Sequence, residues 1–203
     1  MKIDTEHIHH WMQAIRQSNN PMRTMDAFWQ GQLKSKEWLI DRLEFVIRPQ
    51  LNKEELSIDI HGGWVGVLSS MLFQSNLHIK NIRSVDIDPY CQHIAYSMNK
   101  IEEIEQRFVA ITGDMLDVDS NADIIINTSC EHITQKQYDL WLSRLPSKSM
   151  LVLQSNDFKI DEHIRTCNSL DDFKKQSNIN VIFGEKLDLP IYNRYMLIGY
   201  KHV

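Results

Sequence analysis

The chain has 203 residues, 42% of them apolar and 24% charged, with a formal net charge of −5. That length suits a single domain with a full core, and the acidic balance argues against a strong general affinity for nucleic acid. The longest apolar runs are of strand length, so no transmembrane helix is expected.

The polar start, Met1–His10, lacks the apolar stretch of a secretory signal. Cys91, Cys130 and Cys167 are odd in number and have no CxxC spacing. Neither a disulfide framework nor a structural zinc site is expected, and a reducing cytoplasm is the expected location.

Residues 1–50 read as a helical extension and 51–203 as an α/β domain, the two making one unit. Ile8, Trp11, Met12 and Ile15 fall at helical spacing. Ser18-Asn19-Asn20-Pro21 breaks the pattern. A second helix is predicted from about Met22 to Ile47, with Phe28, Trp29, Leu33, Trp38, Leu39, Leu43 and Val46 as its apolar positions and Pro49 as its stop.

From Leu56 onward, short apolar runs alternate with helical stretches. The predicted strands are Ser57–Ile60, Ile82–Asp86, Phe108–Thr112, Asp123–Asn127, Met150–Gln154, Asn180–Leu187 and Tyr195–Lys201. Predicted helices lie at Val67–Gln74, Tyr90–Ile104, Thr134–Leu145 and Leu170–Gln176. Strands alternating with helices imply βαβ units and a parallel sheet. The link between the last two strands contains Pro190 and is too short for a helical crossover, so those strands form an antiparallel hairpin. The expected fold is therefore a doubly wound, mostly parallel seven-stranded sheet with an antiparallel C-terminal hairpin.

The turn after the first strand carries the first chemical signal. Asp59 is followed by His61-Gly62-Gly63-Trp64-Val65-Gly66 and then an apolar helix. Glycines permit a tight turn and close approach of a ligand, and a doubly wound sheet binds ligands at this carboxyl edge. Asp86 stands 20 residues after Gly66, a distance at which an acid reaches ribose hydroxyls. Asp88 instead suits the cap of the helix that Pro89 starts. The spacing is not the GxGxxG of a dinucleotide site. Asp59 ahead of the glycines would repel a pyrophosphate and suit a cation.

On these residues the chain, from about Leu56 onward, resembles the class I S-adenosylmethionine-dependent methyltransferases, with a Rossmann-like fold. Ile58 to Gly66 looks like the family's acid-and-glycine motif, and Val85-Asp86-Ile87-Asp88-Pro89 like its ribose-binding acid. Thr112-Gly113-Asp114-Met115 looks like the motif that meets adenine, and Asp123–Asn127 like the strand that ends at the reaction centre. The resemblance implies S-adenosylmethionine as cofactor. Asp59 and the Gly62–Gly63 backbone would hold its methionine part, Asp86 the ribose, and Asp114 and Met115 the adenine, with His61, Trp64, Gly66, Ile87 and Asn127 as further cofactor-binding candidates. His61 departs from the pattern, standing where the first glycine usually lies.

Asn127-Thr128-Ser129-Cys130-Glu131-His132 is the densest polar cluster of the chain. Asn127, Glu131 and His132 are the catalytic candidates, with His132 as a base; surface placement of Glu131 and His132 is the competing reading. No metal is expected. Thr128 stands where a second carboxylate is wanted, and one Glu-His pair supplies too few ligands. Polar Gln154–Asp157 and His163 flank this edge, and Arg194 reads as a solvated side chain. The three tryptophans Trp11, Trp29 and Trp38 mark the N-terminal helices as packing elements or a lid, and His7, His9 and His10 read as exposed.

The expected activity is direct methyl transfer to a small-molecule substrate. The alternatives are other chemistry at the sulfonium and non-catalytic binding of S-adenosylmethionine. No membrane or nucleic-acid partner is expected, and the sequence carries no signal of oligomeric state.

Overall fold

The computed structural model describes residues 4–51 and 53–202; the start of the N-terminal segment, Met1–Ile3, lies outside them. Seven strands are present: β1 (Leu56–His61), β2 (Ile79–Asp86), β3 (Phe108–Thr112), β4 (Ile124–Asn127), β5 (Met150–Asn156), β6 (Ile179–Asp188) and β7 (Asn193–Lys201). They form one sheet in the order β3-β2-β1-β4-β5-β7-β6. The first five are mutually parallel. Strand β7 runs against both β5 and β6. This is the expected fold, and its winding reverses between β1 and β4.

The helices are α1 (Thr5–Gln17), α2 (Pro21–Asp26), α3 (Gln30–Gln50), α4 (Val67–Phe73), α5 (Pro89–Met98), α6 (Lys100–Ile104), α7 (Gln135–Arg144) and α8 (Leu170–Ser177). The single helix expected over Met22–Ile47 is two, α2 and α3. The chain bends at Ala27–Trp29, where Ala27 is fully buried and Trp29 is extended. The bend brings the Phe28 ring to 5.4 Å from that of Trp11. The helix expected over Tyr90–Ile104 also divides, at Asn99. Its side-chain amide donates to the carbonyls of Gly66, at 3.0 Å, and Ala95, at 2.9 Å. That residue is spent holding the turn after β1.

Strand alternation sorts the core into two layers. Ile58 and Ile60 pack on one face with Trp11, Leu39, Leu43, Leu68 and Ile94. Ile125, Leu151 and Leu153 pack on the other with Tyr138, Trp141 and Phe173. Burying an aliphatic or aromatic side chain of this kind contributes about 1.5–3 kcal/mol. The N-terminal helices join the first layer through apolar contact and through polar anchors. Trp11 Nε1 donates to Ser70 Oγ at 2.9 Å, and Trp38 Nε1 to Glu185 at 2.6 Å. His7, expected to be exposed, is buried and bonded to Asp4 and Glu102, each at 2.9 Å. Among the described residues no helix is long and apolar enough to cross a membrane.

Candidate functional site

The turn after β1 owes its path to backbone conformations that glycine supplies. Gly62 and Gly66 have φ of +72° and +81°, in the left-handed region that L side chains rarely enter. Gly63 lies so close to β2 that a Cβ there would sit 1.9 Å from Ser84 Oγ. Trp64 is left-handed without being glycine, with φ of +48°, at a cost of about 1–2 kcal/mol. Its N–H is offset by a bond to Asp86 Oδ2 at 2.7 Å.

Asp86 ends β2 and is half-buried. Its Oδ1 accepts from the Asp88 N–H at 3.0 Å, so each oxygen holds one backbone donor and keeps a further lone pair. Ile87, next to it, is 69% exposed. The Gly113 N–H donates to the Asp86 carbonyl at 2.9 Å, which draws the turn after β3 beside the end of β2. There Asp114 Oδ1 accepts from the Leu116 N–H. Met115 Sδ lies 3.5 Å from Asn127 Nδ2. Asp86, Ile87, Asp114, Met115 and Asn127 thus gather along one edge with the Gly62–Gly66 turn.

Asp59 and His61 lie elsewhere. Both are buried beneath the turn, on the α7 side of the sheet. The Asp59 carboxylate is gripped by Arg83, whose Nε and Nη2 donate at 2.8 and 2.5 Å, and by Ser120 Oγ at 2.6 Å. His61 Nδ1 accepts from Trp141 Nε1 at 2.7 Å, and its Nε2 lies 3.2 Å from Ser120 Oγ. Since Trp141 only donates, Nδ1 is the bare nitrogen, and Nε2 carries the proton given to Ser120. Burial pushes the imidazole down to about 4; Asp59 opposes the shift and Arg83 adds to it. The histidine in the glycine position is therefore a neutral core residue that braces the turn from below. The amphipathic alternation of β1 carried that signal: Asp59 and His61 share one face, Ile58 and Ile60 the other.

The loop after β4 meets this turn. A Cβ on Gly62 would lie 3.0 Å from Ser129 Oγ. Asn127 is buried and turns the loop, its Oδ1 accepting from the Ser129 N–H at 2.9 Å. Glu131 is buried at 3% exposure. Its Oε1 accepts from Asn156 Nδ2 at 2.6 Å and from Arg194 Nη1 at 3.3 Å. Arg194 is buried as well; it donates through Nε to Gln154 Oε1 at 3.1 Å and through Nη2 to the Thr128 carbonyl. The solvated arginine expected from sequence is instead the hub of this cluster, because β7 sits beside β5 and pairs Arg194 with Asn156.

Two further residues join from a distance. Gln154 Nε2 donates to the Ser35 carbonyl at 3.2 Å, tying α3 across the edge. Lys36 on the same helix is buried, with its ammonium on Gln32. Burial and the nearby Arg194 push its amine down to about 7. His132 is exposed and its ring stands 4.7 Å from that of His163. Two surface cavities, of about 270 Å³ at the opposite edge of β1 and about 450 Å³ among the apolar side chains of α1 and α2, contain none of the expected site residues. Cys130 is buried and pushed up to about 12 by that burial, so it is no nucleophile.

Comparison with solved structures identifies the fold. The chain superposes on magnesium protoporphyrin IX methyltransferase from Synechocystis PCC 6803, solved with bound SAH, over 98% of this chain and 95% of that one, with a TM-score of 0.64 and 14% identity. The fold is that of the class I S-adenosylmethionine-dependent methyltransferases. The pyocyanin biosynthetic protein PhzM matches over 95% of this chain and 62% of its own, with a TM-score of 0.61 and 15% identity. The Bacillus subtilis tRNA methyltransferase TrmK matches over 82% and 65%, with a TM-score of 0.60 and 13% identity. No protein-family model and no curated protein sequence matches the chain. Methyltransferases of small molecules and of RNA thus share this fold.

Proposed function

We propose that the chain binds S-adenosylmethionine at the Gly62–Gly66 turn and transfers its methyl group to a small molecule. One observation carries the reading. The glycine turn and the polar loop after β4 adjoin where the strand order reverses, and in doubly wound sheets that crevice holds the ligand.

The residues present fit such a cofactor. Asp86, with a free lone pair on each oxygen, would hold the ribose hydroxyls. Asp114 and Met115 would frame the adenine, beside exposed Ile87. The Gly62 and Gly63 N–H groups are both taken by the Val85 carbonyl, at 2.9 and 3.0 Å. What the two glycines have left to offer is carbonyl oxygen, that of Gly63 already accepting from the Gly66 N–H at 3.1 Å, and carbonyl oxygen suits the ammonium of the methionine part. Asn127 would stand at the methionine end, and Glu131 and His132 on the acceptor side.

When bound, the cofactor supplies a methyl group on an already activated sulfonium, so alignment and exclusion of water provide most of the rate. Glu131, Asn156, Gln154 and Arg194 form a hydrogen-bonded wall with few free rotamers, and α3 covers it. Burial of that wall beneath α3 and the net charge of −5 both favour a small acceptor over an RNA.

The test is thermal stability with added S-adenosylmethionine or S-adenosylhomocysteine. Binding raises the melting point by mass action. Asp86→Ala should weaken binding by about tenfold or more, the worth of hydrogen bonds to a charged group. A melting point unmoved by either compound would overturn the reading. With a metabolite extract, release of S-adenosylhomocysteine is expected; methylthioadenosine in its place would mean cleavage of the sulfonium instead.

A further inference from the structure

We propose that Glu131, His132 and His163 form a binding site for one divalent transition-metal ion. One ligating atom of each lies within 4.8 Å of the other two. In both histidines one ring nitrogen is committed to a backbone carbonyl. His132 Nδ1 faces the Glu162 carbonyl at 3.1 Å, and His163 Nδ1 faces the Phe158 carbonyl at 2.7 Å. A carbonyl only accepts, so Nδ1 carries the proton in each ring and Nε2 presents a lone pair. Donation of the second ring nitrogen to a backbone carbonyl is the arrangement that fixes the tautomer and direction of metal-bound imidazoles.

The carboxylate supplies the independent observation. Glu131 Oε1 is taken by Asn156 and Arg194, whereas Oε2 has no hydrogen-bond partner among the described residues although the side chain is buried. An unpartnered buried carboxylate oxygen is costly, and a cation beside it removes that cost. Arg194 already neutralises the other lobe, so the site offers two imidazoles and one carboxylate oxygen. That donor set suits zinc, cobalt, nickel or iron and is poor for magnesium or calcium, which want several oxygens.

The fit needs little movement. Tetrahedral coordination with bonds of about 2.0–2.1 Å brings ligand atoms to roughly 3.3 Å apart. His132 is exposed and His163 half-buried, so both rings have room to close. The Arg165 N–H holds the Glu131 carbonyl at 3.0 Å, which pins the His163 segment against the β4 loop. The third ligand is 31 residues away from His132 in sequence. This is why the Glu131-His132 pair alone looked insufficient.

Three protein ligands leave a fourth position for water or another oxygen. The site assigns His132 to metal binding, not proton transfer. That this fourth position takes the acceptor oxygen of a substrate rests on the methyltransferase reading; the binding of the ion does not.

The experiment uses the full chain, freed of metal with a chelator and carrying His9→Ala and His10→Ala so that those two adjacent imidazoles do not compete. Calorimetric titration with Zn²⁺, and titration with Co²⁺ followed by its visible absorption, should each saturate at one equivalent without any S-adenosylmethionine present. His163→Ala and His132→Ala, each checked for an unchanged circular dichroism spectrum, should weaken binding by about tenfold or more. His93→Ala, on α5, should leave it unchanged. Absence of binding, binding indifferent to His163→Ala, or Mg²⁺ binding as tightly as Zn²⁺ would overturn the proposal.

Discussion

Lys36 gives the clearest quantitative prediction. Its amine is buried, bonded to Gln32 and faced by Arg194. Its affinity for a proton falls from the ordinary 10.5 to about 7. In the unfolded chain the amine keeps its ordinary value, so between pH 7 and 10.5 the unfolded state binds more protons than the folded one. Stability therefore rises with pH across that window. Below pH 7 the folded protein carries the whole burden of a buried ammonium. A fall of about 3.5 pH units, at ~1.4 kcal/mol each, makes that burden about 5 kcal/mol. Lys36→Met keeps the apolar stem and removes the charge. Urea unfolding of both proteins from pH 6 to pH 10 checks the idea. The variant should exceed the parent by up to about 5 kcal/mol at pH 6, less whatever the Gln32 contact contributes, and the gap should close as pH approaches 10. Parallel curves for the two proteins, at any separation, would refute the argument that burial depresses this amine.

Two further changes probe the turn after β1. His61, neutral in the core, is pushed down to about 4 from 6.5; its stabilising contribution is present above pH 6.5 and lost as pH falls through 4, roughly 3 kcal/mol in all. His61→Gln, which keeps an acceptor for Trp141, should flatten the acid limb of the stability curve in that window, and an unchanged limb would count against a neutral His61. Gly66→Ala forces a side chain into a φ of +81° and brings a Cβ to 3.0 Å from Ala95. A loss of about 1–3 kcal/mol in chemical denaturation, with weaker S-adenosylmethionine binding, is expected; a fully stable variant would show the turn to be more tolerant than its geometry implies.

The residue pattern alone set the order of strands and helices along the chain and the reversed β7. Period-two and period-3.6 hydrophobicity are local properties, and Gly62, Gly66 and Pro89 act within a few residues of themselves. The approach of Asp86 to the glycine turn was also legible, because in a βαβ unit strands 20–30 residues apart become neighbours. What sequence could not assign was the partner of each polar group. Asp59 was read as facing a cation and does so, but the cation is Arg83, directly across on β2. Arg194 reads as solvated because nothing near it in sequence is its partner; β7 brings it under cover beside Glu131. His163 likewise gains meaning only when the segment after β5 folds back on the β4 loop. Burial and pairing of charge are set by elements far apart in the chain, and they decide which polar residues brace the core and which face a ligand.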